Sequence, residues 1–235
     1  MLLDKIIIDK IQSIIQTAQL VGIDSVIVSK EMVRATNIEN TVIIFHGEDI
    51  DLPFDAIALN RLPTFASRLE LAAAGEKFQI DATVDDNEEF AKSLTMKNKK
   101  TKIDYRCANP STVKAPKQIQ DAMCFEISLD AGDINTLGKA ALAMGTDLIE
   151  ISGDKDTAQI KMIDINRDEF KHDITGSAKI ITGNKTKETS FSHKYPAKIL
   201  LALLKKSPGE PFRIGAGGLL NITANGINLF IIPQV

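Results

Sequence analysis

The sequence has few cysteines and few aromatic residues. Its 235 residues include two cysteines, two tyrosines and no tryptophan. Cys107 and Cys124 belong to no CxxC motif and have no histidine beside them, which argues against a disulfide framework and against a zinc site. We therefore expect two reduced thiols, as is usual in the cytoplasm.

Long apolar runs are also missing. No stretch reaches the roughly 18 apolar residues that a membrane-spanning helix needs. The first segment is rich in isoleucine, but Asp4, Lys5, Asp9 and Lys10 interrupt it. A signal peptide needs an uninterrupted apolar segment and a small-residue cleavage site. We expect a cytoplasmic protein with no membrane partner.

Motifs of catalysis are absent from the sequence as well. His46, His172 and His193 have no second ligand at a metal-binding spacing. The segment Gly215–Gly218 lacks the GKS or GKT sequence of a phosphate-binding loop and precedes a predicted strand, so we interpret it as a turn. There is no nucleophile elbow, HExxH motif or kinase signature. The sequence predicts a protein that is not an enzyme and that uses no cofactor and no metal.

The overall composition is that of an ordinary globular protein. Hydrophobic residues make up 44% and charged residues 25%, which excludes a disordered or collagen-like chain. The length fits one large domain or two domains of about 115 residues. With 28 basic and 31 acidic residues the formal net charge is −3. That balance at first argues against nucleic-acid binding, because nucleic-acid-binding domains are usually strongly basic.

Four amphipathic segments predict four helices. After Ile7, apolar residues recur at the i, i+3, i+4 and i+7 positions, and a short strand over Leu2–Ile6 precedes them. Asn60 is a suitable N-cap for the second helix. The predicted helices cover residues 9–21, 60–72, 133–144 and 197–206.

The two halves of the chain repeat one order of elements: strand, helix, three strands, helix, three strands. Between the halves, Pro110 and Pro116 interrupt every periodic pattern, because proline removes a backbone donor and favours an extended neighbour. We predict a domain over residues 1–107, a linker over 108–120 and a second domain over 121–235. The predicted fold class is α+β, with two similar domains that each carry two helices on antiparallel sheets.

Basic residues are concentrated in the predicted helices. The windows 5–21, 60–71, 133–144 and 197–206 hold eight basic and three acidic residues, a balance of +5 that leaves −8 for the rest of the chain. Arg61 and Arg68 are seven positions apart, as are Lys198 and Lys205, which predicts one face for each pair. Surface helices commonly carry lysine without binding anything. If these helices share one face, however, its potential is positive and its phosphate contacts are independent of sequence and sensitive to salt.

The predicted linker carries a family resemblance. Its segment Ala108–Pro116, with the sequence ANPSTVKAP, resembles the segment that joins the two domains in sliding clamps of T-even-like bacteriophages, where a very similar D/N-PSTV-x-AP run occurs. Length and order of elements agree over nearly the full chain.

The resemblance implies a ring of three identical subunits and six similar domains, with helices lining a central hole and sheets forming the outer wall. Such a ring encircles double-stranded DNA without sequence preference and tethers the replicative DNA polymerase, so that processivity comes from topology. The implied partners are DNA, the polymerase, a clamp loader and further copies of the chain as a homotrimer, in the host cytoplasm if the protein is viral.

The resemblance also implies two sets of site residues. The residues that would face DNA are Lys5, Lys10, Arg61, Arg68, Lys139, Lys198, Lys205 and Lys206. An apolar pocket for polymerase and loader peptides would be lined by Val42, Ile44, Val113, Pro116, Ile231, Ile232 and Pro233. The subunits would join through the edge strands Lys102–Cys107 and Asp173–Ile180. One alternative stays open, a single-chain α+β ligand-binding or hydrolytic protein with a site built from loops.

Overall fold

The computed structural model describes residues 1–84, 87, 89–154, 157–175, 178–181 and 190–234. They form two compact units, Met1–Gln118 and Ile119–Val235. The division falls inside the predicted linker of residues 108–120, and the bounds 1–107 and 121–235 stay predictions. Each unit combines two helices with antiparallel sheets, which confirms the predicted α+β class.

The first unit builds two helices and two layers of strands. Its helices are α1 (Lys5–Leu20) and α2 (Leu62–Ala73). Its strands are β1 (Leu2–Leu3), β2 (Ser25–Ser29), β3 (Met32–Thr36), β4 (Val42–Gly47), β5 (Ala56–Asn60), β6 (Gln79–Val84), β7 (Ala91–Lys97) and β8 (Lys102–Arg106). One sheet has the order β1-β6-β7-β8, and β4-β3-β2-β5 lie side by side in another. After β8, Ala108 bridges to Ala58 of β5, and a 3-10 turn follows at Pro110–Thr112.

The second unit repeats this arrangement. Its helices are α3 (Ala131–Met144) and α4 (Ala197–Leu204). Its strands are β9 (Met123–Ile127), β10 (Leu148–Asp154), β11 (Thr157–Ile163), β12 (Glu169–Thr175), β13 (Ala178–Ile180), β14 (Ser190–Pro196), β15 (Phe212–Gly215), β16 (Leu220–Ala224) and β17 (Ile227–Ile231). One sheet has the order β12-β11-β10-β14, and β13-β9-β15-β16-β17 lie side by side in another.

The number of strands between the helices differs from the prediction. In the described part of the chain, four strands lie between α1 and α2 and five lie between α3 and α4, where three were expected in each half. The predicted strand Asp173–Ile180 is in fact divided. Its first part belongs to β12, which pairs with β11, whereas its last part is β13, which pairs with β9. Residues 176 and 177 lie outside the described residues.

The first helix begins four residues earlier than predicted. Asp4 is its N-cap, and the Asp4 carboxylate accepts a hydrogen bond of 2.8 Å from the backbone N–H of Ile7. A carboxylate at this position satisfies one of the free N–H groups of the first turn. The strand before the helix is only Leu2–Leu3, so Lys5 belongs to α1 and the predicted strand Leu2–Ile6 was wrong.

The second helix is not capped by Asn60, contrary to the prediction. Arg61 occupies the N-cap position with a left-handed backbone (φ 49°, ψ 50°). The side-chain oxygen of Asn60 instead accepts a hydrogen bond of 2.9 Å from the Tyr105 hydroxyl. A side-chain contact to β8 therefore replaces the local cap that the sequence suggested.

The helices of the second unit also have revised ends. A capping box closes the start of α3, because Asp130 accepts from the Asp133 N–H at 2.8 Å and Asp133 accepts from the Asp130 N–H at 3.2 Å. The helix therefore starts at Ala131, not at residue 133. The fourth helix ends at Leu204, so Lys205 and Lys206 follow it and do not extend it.

Each unit buries one face of its helix pair. On α1 the buried stripe includes Ile7, Ile11 and Ile14, at the spacing of a helical face. On α3 the buried residues are Ile134, Leu137 and Ala140, whereas Ala141 and Met144 are only half-buried. Helix α1 packs beside α2, and α3 packs beside α4. Every helix in the described ranges falls short of the length and apolar content needed to cross a membrane.

Candidate nucleic-acid interface

The predicted DNA-facing cations lie on or next to all four helices. Lys5 and Lys10 are on α1, and Arg68 is on α2 with Arg61 at its N-cap. Lys139 is on α3, Lys198 is in the first turn of α4, and Lys205 and Lys206 follow α4 directly. The contacts of these side chains within their own unit differ, and these contacts decide which of the cations are available to bind a phosphate.

Lys10 is held by an ion pair. Its ammonium lies 2.8 Å from Oε1 of Glu48 and donates to the carbonyl of Asp49 at 3.2 Å. Both charged side chains of the pair are only 32% exposed. A phosphate would have to displace Glu48 before it could use this cation, so Lys10 is the weakest of the predicted contacts.

Arg61 is also held within its own unit. Its guanidinium lies 5.5 Å from the centroid of the Tyr105 ring, a cation–π contact. It also donates to the carbonyl of Arg106 at 3.5 Å and to the side chain of Asn60 at 3.4 Å. Because Arg61 precedes the first helical residue with a left-handed backbone, the expectation that it shares a helical face with Arg68 was wrong.

One cation of the second unit reaches from α4 to the neighbouring helix α3. A Cβ atom placed on Gly138 would lie 3.7 Å from Nζ of Lys205, so the Lys205 side chain reaches across to α3. Gly138 is the neighbour of Lys139, and both lysines are exposed. Lys205 is the C-cap of α4, where the partial negative charge of the helix end favours an ammonium group. The contact between α3 and α4 therefore gathers positive charge from two helices.

Most of the predicted cations are unpaired. Within the described part of the chain, Lys10 alone of the eight forms an ion pair, and apart from it and Arg61 six cations remain: Lys5, Arg68, Lys139, Lys198, Lys205 and Lys206. Of the acidic residues on the helices, Asp133 is occupied by the Asp130 backbone and by Nε2 of His172 at 2.9 Å. Unpaired lysines on exposed helix faces can bind phosphates without reading sequence.

The predicted peptide pocket needs correction. Val42, Ile44 and Ile231 have no exposed surface and belong to the core, so they cannot line an open pocket in this conformation. Val113, Pro116, Ile232 and Pro233 are half-buried and stay candidates.

The predicted pocket omitted the half-buried residues on the opposite faces of strands β4 and β17. Side chains alternate along a strand, and next to Val42 and Ile44 the half-buried residues of β4 are Ile43 and Phe45. Phe230 has the same position beside Ile231 in β17. The sequence could not separate the two faces of β4, because its residues Val-Ile-Ile-Phe are apolar on both faces.

The glycine-rich segment is a turn, as predicted. The Asp121 carboxylate accepts from the Gly217 N–H at 3.0 Å and from the Leu219 N–H at 2.9 Å. The backbone donors that a phosphate would need are thus already taken by a carboxylate of the same unit. Among the described residues, no three His, Cys, Asp or Glu side chains form a group that could hold a metal ion.

Comparison with solved structures identifies the fold. No family model and no curated protein matches the sequence. Solved structures do match: PCNA from Thermococcus kodakaraensis superposes with a TM-score of 0.68 at 16% identity, over 99% of this chain and 98% of that one. A. fulgidus PCNA bound to the C-terminal region of FEN-1 gives 0.64 at 14% identity, over 97% of this chain and 96% of that one.

A bacterial clamp matches over part of its length. The H. pylori beta clamp in complex with 5-chloroisatin gives a TM-score of 0.68 at 13% identity, over 97% of this chain and 62% of that chain. The chain therefore has the fold of the sliding clamps. It covers 98% of the T. kodakaraensis PCNA chain and less than two thirds of the H. pylori beta clamp chain.

Proposed function

We propose that this protein is a DNA sliding clamp, which encircles duplex DNA as a ring and tethers the replicative DNA polymerase, and that it is not an enzyme. The observation that carries the proposal is the clamp fold over 99% of the chain. Exposed, unpaired lysines next to the helices of both units support it, because they offer weak contacts to phosphates. Weak contacts suit a protein that must move along DNA.

We also propose a homotrimeric ring. Three chains of 25.7 kDa give a mass of about 77 kDa, and two units in each chain make six domains. Strands β8 and β12 lie at the ends of their sheets and leave edges for a neighbouring copy. An origin in a T-even-like bacteriophage, and hence a location in the host cytoplasm, is supported by the resemblance of Ala108–Pro116.

Partner peptides are the third part of the proposal. One structural neighbour is bound to the C-terminal region of FEN-1, and another, a H. pylori beta clamp, is bound to a DNA ligase peptide. We infer that a polymerase and a clamp loader dock here through short apolar segments. In the first unit the half-buried Ile43, Phe45, Val113 and Pro116 are the candidate contacts, with Ile232 and Pro233 in the second.

A threading experiment tests encirclement without a loader. A duplex is fixed to a bead at one end, and its free end is blocked with a bulky protein either before or after incubation with the clamp at high concentration. Clamp that has threaded over the free end should survive a high-salt wash only when the block is added afterwards. Equal retention in both orders would refute encirclement, and a strictly monomeric mass would refute the ring.

A further inference from the structure

An arginine lies in the middle of an apolar sheet face in the first unit. Arg34 is in the centre of β3, and its neighbours Val33 and Ala35 have no exposed surface because they belong to the core. Side chains alternate along a strand, so the half-buried Arg34 side chain lies on the opposite face of the sheet. Arg34 is directly opposite Ile27 of β2 and Phe45 of β4. Its side chain therefore belongs to a row between two apolar side chains.

The guanidinium of Arg34 has no polar partner in the described part of the chain. Its Nε atom is buried and forms no hydrogen bond there. No carboxylate of the described residues forms an ion pair with Arg34 either. A buried N–H group without an acceptor costs free energy, and such groups in folded proteins normally have a partner. Arg34 is therefore suited to an acceptor from another molecule.

The apolar residues around Arg34 define a surface that we call the outer face. Besides Arg34 it consists of Ile27, Met32, Ile43 and Phe45. The last three are half-buried, whereas Ile27 is only 6% exposed. Unlike a core face, this surface is accessible in part and combines apolar area with one unpaired cation.

The row through Arg34 leads to the segment that leaves the sheet. Ile27 is opposite Ala58 of β5, and Ala58 bridges to Ala108. Neighbouring strands are about 4.8 Å apart, so three such steps place Ala108 about 14 Å from Arg34. About four extended residues span this distance. A short peptide can therefore contact Arg34 and also reach the segment that carries Val113 and Pro116.

One end of β3 presents an exposed apolar side chain. Ile38, in the turn between β3 and β4, is 83% exposed. The buried Asn37 orders this turn, because its side-chain oxygen accepts from the N–H groups of Thr41 at 2.8 Å and Val42 at 3.0 Å. Single exposed apolar residues are common. This one, however, is only four positions from Arg34 and extends the apolar surface beyond the end of the strand.

We propose that the outer face binds an apolar peptide of a partner protein through an acidic side chain, with the Arg34 guanidinium as the receptor of that carboxylate. The inference rests on the proposed docking of partner peptides. It adds the chemistry that such a peptide must carry: an aspartate or glutamate with apolar residues on both sides of it.

The geometry of the guanidinium favours a carboxylate. Nε–H and a neighbouring Nη–H form a planar fork that can donate to both oxygens of one carboxylate. Because Ile27 and Phe45 lie on opposite sides of Arg34, a bound chain continues in both directions. A C-terminal carboxylate would end the chain at Arg34 and leave one side uncovered. A nucleic-acid backbone is charged along its length and does not match the apolar flanks.

A peptide selection tests the chemistry of the partner. A display library of short random peptides is selected in parallel against the wild-type full chain, Arg34→Leu and Arg34→Glu. Peptides bound by wild type should be enriched in Asp or Glu between apolar residues, and Phe45→Ala should weaken their binding. The preference for an acid should vanish with Arg34→Leu and change to Lys or Arg with Arg34→Glu. Peptides that show no enriched acid, or that do not respond to Phe45→Ala, would overturn the proposal.

A synthetic peptide from the selection measures the coupling. It is prepared with its acid, with the corresponding amide side chain, and with a free or an amidated C-terminus. In calorimetry Arg34→Leu and the amide side chain should each raise Kd about 10- to 100-fold. The two changes together should cost little more than either alone, because they remove the same interaction. Amidation of the C-terminus should have no effect, and a comparable loss on amidation would refute an internal acid.

Control variants separate this contact from net charge and from folding. Lys100→Leu removes one charge from an exposed turn of the same unit and should leave Kd within about twofold of wild type. Arg34→Lys keeps the charge but loses the planar fork, so its Kd should lie between those of wild type and Arg34→Leu. Arg34→Leu should unfold in urea no earlier than wild type, because it removes a group without an internal partner. Lower stability or a changed mass in sedimentation would assign Arg34 to the fold or to a contact between copies and overturn the proposal.

The inference and the proposed clamp fail through different results. If the protein threads onto DNA but peptide binding does not depend on Arg34, the carboxylate receptor is refuted and the clamp stands. If peptide binding depends on Arg34 and on the peptide acid but the protein does not thread, the receptor is supported and the clamp is refuted.

Discussion

The unpaired lysines at α4 allow a quantitative prediction about DNA binding. The change is Lys198→Ala combined with Lys205→Ala, which removes two exposed ammonium groups, one from each end of the helix. Neither forms an ion pair within the described residues, so their removal breaks no salt bridge inside the unit. We expect weaker DNA association with unchanged assembly.

The magnitude follows from counterion release. Each phosphate contact contributes a slope of about −0.9 to the dependence of log affinity on log salt. Loss of two contacts reduces the slope by about 1.8 for each subunit that contacts the duplex. When salt rises fourfold, from about 50 to about 200 mM, the affinity of the wild type should therefore fall at least about 12-fold more than that of the variant. Fluorescence anisotropy with a short labelled duplex measures both slopes.

A matched double variant provides the control. Lys10→Ala with Lys179→Ala removes the same charge, but these lysines lie 2.8 Å from Glu48 and 2.7 Å from Glu126. Their removal should leave the slope nearly unchanged. If the control pair lowers the slope as much as the α4 pair, DNA responds only to net charge and the assignment of α4 is refuted.

Three further predictions concern the fold, its pH dependence and partner binding. Asp121→Ala should lower the free energy of unfolding by about 1–3 kcal/mol, because two backbone N–H groups lose their acceptor, and urea unfolding measures the loss. Lys179 and Arg213 lower the pKa of Glu126. The ionised Glu126 carboxylate should therefore stabilise the fold above pH 4.5, and this stabilisation should vanish as the pH falls through the lowered pKa of Glu126. Glu126→Gln should make the free energy of unfolding less dependent on pH in that acidic range. Ile44→Ala should lower the free energy of unfolding by about 2–5 kcal/mol, because it removes a buried side chain. Phe45→Ala should chiefly weaken the binding of a C-terminal polymerase peptide, as measured by calorimetry. If Phe45→Ala destabilises the protein and Ile44→Ala weakens peptide binding, the assignment of the two faces of β4 is wrong.

Periodicity predicted the helices because their apolar residues lie on single stripes. The start of α1 was missed although Asp4 is a typical N-cap residue, because Leu2–Ile6 also fits a strand. The course of residues 173–180 could not be predicted, since the sequence does not show that β13 pairs with β9 while β12 pairs with β11.

The candidate site was also predicted only in part from the sequence. Composition placed the cations on the helices, and the structure finds five of the eight there, with Arg61, Lys205 and Lys206 at helix ends. That Glu48 binds Lys10 depends on the fold of a loop 38 positions away, which no local pattern encodes. The faces of β4 could not be told apart because both are apolar, and a shift of one residue exchanges core and surface.

Tyr105 gives the edge strand β8 a direct connection to the start of α2. Its hydroxyl accepts from the backbone N–H of Asn60 at 2.9 Å and shares its one proton between the carbonyl and the side-chain oxygen of Asn60, and its ring lies beside the Arg61 guanidinium. When β8 detaches, the Asn60 amide loses its acceptor and the N-cap residue of α2 loses its support. Hydrogen exchange at the single amide of Asn60 therefore reports whether the edge of the sheet is in place, and it should slow when a second copy covers β8.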